Sequence, residues 1–420
     1  MPQRTRHHMI GFLFFLSGAA GLLYEVIWVR SLGVVAGSQA TASQAVLSAY
    51  FAGAALGAWL LGRRGDQFQS PLMLYARLEL GIGIAGLWSL LALAIVSRVA
   101  PHLSDGTAGL KLGVVAFASA AFAFLPSTIF MGATLPALVR ALDEDALRAS
   151  RTLATLYAVN ALGAVVGALA TAFALISVVG GRGVVGIAVA MNFAAAVGAF
   201  ILGRASCRAS RDSDVSHPRE SADAPDGRRP AESRRVLLDA LACAGFAGIS
   251  FELAAIRALA LSFDDTTYSF AVTVSAFLVS IVIGSAIARS TPTFATSRVP
   301  AATILASAML ALGIAGHLLS LATGLRQALL AVTGSTWIGT VLAETTTATL
   351  LVMPAAVSTS LVFCWLAPRI VRTVSSESRD LSLGLLANLT GCAVAPLVAG
   401  LIAIPIDGAR GAARVAVIAL

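Results

Sequence analysis

Charge is what this sequence has least of. Charged residues make up 12% of its 420 positions, against about one quarter in an ordinary soluble chain. Lysine is almost missing: Lys111 is the one example among 29 basic residues. The four cysteines, Cys207, Cys243, Cys364 and Cys392, form no CxxC and no metal-ligand spacing, which excludes a zinc-stapled or disulfide-framed small domain and leaves free thiols or packing residues. The five histidines are dispersed as His7, His8, His102, His217 and His317, so no metal site is visible. Walker A, GxSxG, HExxH and the strand-linked glycine fingerprints are also missing, so these residues hold no catalytic constellation of a soluble type.

In place of charge there is apolar length. The chain is 58% hydrophobic with a mean hydropathy of +0.86. The runs Ala42 to Leu61, Leu80 to Val96, Leu153 to Val179, Gly183 to Gly203 and Leu383 to Ile404 approach or exceed the roughly 20 apolar residues that cross a bilayer. The lipid bilayer is therefore the first expected partner. The basic head Met1 to His8 followed by apolar Met9 to Leu23 has the outline of a signal peptide. It runs straight into Tyr24, Glu25 and Trp28, so an uncleaved first helix is the better reading. A net charge of +8 could serve nucleic acid. With the N-terminus in the cytoplasm, however, most basic residues fall on cytoplasmic segments, the positive-inside pattern of a multi-pass protein of the inner (plasma) membrane, and no nucleic acid partner is expected.

Spans are expected at 9–29, 42–62, 72–97, 111–137, 153–179 and 183–203, then at 236–262, 267–288, 300–322, 338–366, 383–405 and from about 411. Residues 204–235, rich in Arg, Asp, Ser and Pro, cannot bury enough surface to fold alone and read as a flexible cytoplasmic linker. The flanking parts, 1–203 and 236–420, are copies of one another. Gly18/Gly245, Gly21/Gly248, Glu25/Glu252, Arg30/Arg257, Ser48/Ser275 and Gly57/Gly284 recur at a constant spacing. One residue further out of register, Pro126/Pro354, Asn160/Asn388, Gly163/Gly391 and the Gly-x-Arg-Gly turns at Gly180 and Gly408 follow in order. The expected fold is an all-α polytopic membrane bundle of 11–12 helices, built as two parallel six-helix repeats related by an axis along the membrane normal, as in major-facilitator-type transporters. The last helix looks incomplete beside its counterpart after Gly183, which suggests a fragment.

Within such a bundle, ionisable residues are the candidates for function. Glu25 and Glu252 sit on the opening helix of each repeat, where an acid costs a few kcal/mol and normally faces the bundle interior or a water-filled cavity. They read either as a cation or proton site or as structural groups, with Arg30 and Arg257 snorkelling to the outer interface. Five residues on a helix is about 140° of rotation, so each Glu need not touch its Arg. Glu79 and Glu344 are further acids without counterparts, each either specificity-determining or interfacial. Asn160 and Asn388 fit interhelical hydrogen bonding among small residues. Pro126, Pro136, Pro354 and Pro368 should kink or end the fourth helix of each half.

Four motifs carry a resemblance. The run from Ser17 to Arg30 (SGAAGLLYEVIWVR), Leu78 to Gly83, Met131 to Pro136 and Leu156 to Ala164 resemble the membrane domain of membrane-integral spermidine-synthase-like proteins, across essentially the whole chain. The second half matches more loosely, with Phe251 for the Tyr and Ala255 for the Trp. The resemblance implies a major-facilitator-like membrane domain followed by an aminopropyltransferase-like domain that binds a decarboxylated S-adenosylmethionine-type donor. The residues of that second domain are not in this sequence, so no cofactor is expected of these 420 residues. Two functions follow as expectations. One is a transporter-like domain that binds or moves a small, cationic, polyamine-like molecule and works with an aminopropyltransferase-like domain or subunit. The other is a non-transporting membrane anchor for such an enzyme.

Overall fold

The computed structural model describes residues 3–61, 70–104, 110–142, 146–212, 234–263, 266–291, 299–371 and 377–420, and every regular element among them is helical. The first half contains α1 (Gln3–Ala36), α2 (Gln39–Leu60), α3 (Pro71–Ser104), α4 (Leu110–Met131), the short α5 (Thr134–Leu142), α6 (Ala146–Ala170) and α7 (Ile176–Asp212). The second contains α8 (Arg234–Ser262), α9 (Thr267–Ser290), α10 (Ala301–Leu318), α11 (Ala322–Thr333), α12 (Trp337–Val371), α13 (Glu377–Ala395) and α14 (Ile404–Ala419). Nine stretches among the described residues are long and apolar enough to cross a bilayer.

The exposure pattern of α3 shows why the solvent must be lipid. Leu80, Ile84, Leu87, Leu91 and Ile95 follow helical spacing along its outer face, each at least 39% exposed. Leu78, Ile82, Ala85 and Ala92 fill its inner face and are buried. A helix apolar on both faces with one face uncovered is stable in hydrocarbon and not in water.

The duplication governs local structure down to single hydrogen bonds. Ser38 caps α2 by accepting from the Thr41 amide at 3.1 Å, and its counterpart Thr266 caps α9 by accepting from the Ser269 amide at 3.2 Å. α6 continues through a π-helical stretch, Thr171–Leu175, and turns back at Gly180, whose φ of 66° suits glycine. α13 continues through Pro396–Ala403 and turns back at Gly408, with φ 59°. The Gly-x-Arg-Gly pairs seen in the sequence are therefore equivalent hairpin turns. α1 lies on α6 through Gly18, where a Cβ would strike the backbone of Asn160, and α8 lies on α13 through Gly245 against Asn388 in the same way. Contact between the halves is made by α6 with α9 and α2 with α13.

Several boundaries differ from the sequence expectation. The single span expected over 111–137 is broken between α4 and α5, where Pro136 cannot donate to the Gly132 carbonyl. Pro126, Pro354 and Pro368 lie inside continuous helices. α11 was not foreseen: it is too short to span, carries a half-buried Arg326 and an exposed Gln327, and buries only Ala322. α7 runs on to Asp212, past 203, and the linker residues 213–233 lie outside the described residues.

Candidate functional site

A cavity of about 270 Å³ lies between the halves, walled by α1, α2 and α6 on one side and by α8, α9, α12 and α13 on the other. It extends from the middle of the bundle toward the end at which α1 begins, reaching Thr134 and Leu135 at the start of α5 and Leu385 early in α13. Leu22, Phe51, Phe277 and Phe363 give it apolar walls. Glu25 and Glu252 both line it, at 5% and 6% exposure. The duplicated acids thus share one space.

Neither carboxylate has a hydrogen-bond or ion-pair partner among the described residues, and no Arg, Lys or His is among the lining residues. Among the described residues neither acid is bonded to the arginine five residues on. Arg30 is exposed and donates from Nη1 to Thr267 Oγ1 at 3.3 Å, across the halves, and Arg257 is half-buried outside the cavity lining. Asn160 and Asn388 do line the cavity, but each amide is engaged in packing. Asn160 Nδ2 donates to the Phe14 carbonyl at 3.2 Å and Asn388 Nδ2 to the Leu241 carbonyl at 3.1 Å, equivalent bonds that tie α6 to α1 and α13 to α8.

The two unduplicated acids are placed elsewhere. Glu344 forms an ion pair with Arg326 of α11, with Nη2 to Oε1 at 3.0 Å and Nε to the same oxygen at 3.2 Å, away from the cavity. Glu79 is fully buried behind α1. Its Oε2 accepts from Asn192 Nδ2 of α7 at 2.7 Å, and Asn192 Oδ1 accepts from the Tyr24 hydroxyl at 3.0 Å. Tyr24 stacks on Trp28 and Trp28 on Phe124, with ring centroids 5.4 and 4.3 Å apart, and Trp28 Nε1 donates to Ser89 Oγ at 3.2 Å.

At the opposite end of the bundle aromatic rings meet across the halves. Phe173 of the π-helical stretch meets Tyr268 at 5.3 Å and Trp337 at 6.0 Å, beside the Arg30–Thr267 bond. A smaller-walled cavity of about 290 Å³ between Arg30, Gln39 and Tyr268 lies at this end.

Sequence reasoning missed the tyrosines and Asn192. The chain has five tyrosines. Tyr50 and Tyr157 line the cavity, within electrostatic reach of Glu25 and Glu252 respectively, and Tyr24 and Tyr75 flank Glu79. Their rarity in so apolar a chain is the signal that could have found them. Among the described residues no His, Cys, Asp and Glu cluster fit for a metal ion occurs.

No family model and no curated protein matches the sequence. Solved structures do match in fold. A Major Facilitator Superfamily transporter, FucP, in the outward conformation superposes with a TM-score of 0.55 at 13% identity, covering 98% of this chain and 95% of that one. The human organic anion transporter MFSD10 (TETRAN) gives 0.56 at 14% identity, over 100% and 98%. A bacterial homologue of the iron transporter ferroportin, in an outward-facing state with soaked iron, gives 0.55 at 12%, over 98% and 96%. The chain is an all-α, multi-pass membrane protein with the major-facilitator fold.

Proposed function

We propose that this protein is a transporter whose cargo is a small organic cation, bound in the interhalf cavity between Glu25 and Glu252. The observation that carries this reading is the pair of buried carboxylates without partners, in a cavity with no basic side chain. Two uncompensated acids in a low-dielectric space favour a cation that supplies the missing charge, and the faces of Tyr50 and Tyr157 can add cation–π attraction to an ammonium group. Two acids related by the pseudo-twofold suit a cargo with two separated amines. The resemblance of the Ser17–Arg30 and Leu156–Ala164 motifs to membrane-integral spermidine-synthase-like proteins supports a polyamine-like molecule as that cargo, and an aminopropyltransferase-like domain or subunit as its partner. The distribution of basic residues supports a cytoplasmic N-terminus in the inner membrane. In that orientation the cavity faces the cytoplasm and the Phe173–Tyr268 end is closed.

The test is binding and counterflow of radiolabelled spermidine in proteoliposomes containing the wild-type chain, E25Q, E252Q and the double variant. The reading expects saturable exchange in wild type and its loss in the double variant. Undiminished exchange in the double variant would remove both acids from the mechanism. A scaffold without transport predicts no saturable exchange and no shift of melting temperature by spermidine in any variant.

A further inference from the structure

We infer that the second cavity, where α1 finishes and α9 starts, is an anion site that takes a phosphate group between Arg30 and Gln39 of one half and Thr267 of the other. The site shares no lining residue with the cavity of Glu25 and Glu252 and does not rest on the cargo reading.

The lining offers donors and no acid. Arg30 is exposed, and its one hydrogen bond is the 3.3 Å contact from Nη1 to Thr267 Oγ1. A guanidinium carries five N–H donors, so four are left, and no carboxylate pairs with Arg30 among the described residues. Thr267 Oγ1 accepts that bond, which frees its own hydrogen to donate. The Gln39 carboxamide forms no hydrogen bond among the described residues. Its Oε1 is buried without a partner, which leaves Nε2 as the end open to the cavity. Nε2 packs on Gly33, where a Cβ would come within 2.9 Å of it, so the glycine makes room for the amide. Ala172 and Ile176 supply an apolar floor and Tyr268 a phenol.

The backbone adds to the same field. Gln39 and Thr267 are the first residues of α2 and α9, so the positive ends of two helices, of 22 and 24 residues, border the cavity beside Arg30. The protein places nothing negative there to balance them. An anion supplies the balance, and donors on separate helices suit the divergent oxygens of a tetrahedral phosphate, which Arg can bind through two parallel bonds. About 290 Å³ is room enough for the group. Helix ends lie at headgroup depth in a bilayer, so the phosphate can belong to a lipid headgroup or come from solution. Because Arg30 and Thr267 belong to different halves, a phosphate bonded to both spans the seam at which Phe173 meets Tyr268.

The experiment uses the full chain in detergent and phosphate-free buffer. Equilibrium dialysis with radiolabelled inorganic phosphate, at constant ionic strength set with chloride, reads the solution source. Native mass spectrometry after incubation with phosphatidylglycerol reads the lipid source. The variants are R30Q, Q39L and R257Q, the last being the same charge change at the duplicated arginine outside this cavity. Saturable binding of at least one of the two probes is expected in wild type and R257Q, weakened ~10-fold or more in R30Q, which loses a charge-assisted pair. Q39L keeps the charge, should weaken binding ~3-fold, and decides the matter if R30Q does not fold. Phosphate binding alone assigns the site to the dissolved ion, and lipid retention alone to a headgroup. Saturable binding of neither probe, or equal losses in R30Q and R257Q, overturns the site.

Discussion

The two halves share a skeleton and differ in what stands behind it. Each has a glycine of its opening helix against an asparagine, Gly18 on Asn160 and Gly245 on Asn388, and each has an N-capping hydroxyl and a positive-φ glycine turn at matching places. Each contributes one acid to the cavity. The cluster of Tyr24, Trp28, Glu79, Ser89 and Asn192 belongs to the first half alone. In the second, Phe251 and Ala255 replace Tyr24 and Trp28, and α10, the counterpart of α3, carries no acid. Helix crossings and the cavity are built by the symmetry, so both copies must keep the residues that make them. The buried polar cluster is confined to one copy, and Phe251 and Ala255 pack as apolar residues at the equivalent positions of the other.

The most damaging way to break the shared part is at the acids. Each Glu offers a charge-assisted contact to a cation, worth about 1.5–3 kcal/mol, so E25Q and E252Q should each weaken spermidine binding roughly 10-fold or more, and the double variant ~100-fold or more. Isothermal titration in detergent reads this, and the symmetric placement predicts similar losses for the two single variants. A large effect at Glu25 with none at Glu252 would show that the first half alone holds cargo.

The skeleton comes next. Gly18→Leu and Gly245→Leu each push a side chain into the backbone of the facing asparagine, and overpacking of this kind costs about 1–3 kcal/mol or more. Both should lower the melting temperature clearly and by similar amounts. The difference between halves is sharpened by Tyr24→Phe and Phe251→Tyr. The first deletes the hydrogen bond to Asn192, a loss of about 1 kcal/mol. The second adds a hydroxyl at a fully buried position where, among the described residues, no bonded counterpart to Asn192 is found, and should also destabilise. If Phe251→Tyr were neutral, the second half would hold an unrecognised polar partner.

Much of this skeleton was legible in the sequence. Apolar runs located the helices because lipid demands them, and the recurrence of Gly18, Asn160, Gly180 and their partners gave the duplication, since a turn or a close crossing tolerates few substitutes. The cavity acids were legible for the same reason: charge is rare here, so a repeated Glu stands out. What stayed hidden depends on tertiary pairing. Asn192 meets Glu79 only because α7 lies on α3, and nothing local to either residue announces it. Glu344 could not be read as an ion-pair member without α11, whose twelve residues are too few to register as a span yet carry Arg326. The five-residue spacing, about 140° of rotation, already separated each Glu from its Arg, and Glu25 lines the cavity while Arg30 bonds Thr267 outside it.

The smallest expected effect concerns that arginine pair. Arg30 and Arg257 are duplicates, yet only Arg30 makes a hydrogen bond between halves among the described residues, an exposed one to Thr267 at the closed end. An exposed contact of this kind is worth a few tenths of a kcal/mol, so R30Q should leave the melting temperature within error of wild type, and R257Q likewise. The two variants should separate in conformation. Losing the Arg30–Thr267 bond weakens the closed end and shifts the population away from the cavity-open form. Cys392 lines the cavity, so its rate of modification by a water-soluble maleimide reads that population. A modest slowing, about 2-fold for a few tenths of a kcal/mol, is expected in R30Q and none in R257Q. Equal rates in both would show that the closed end is held by the Phe173–Tyr268–Trp337 ring contacts alone.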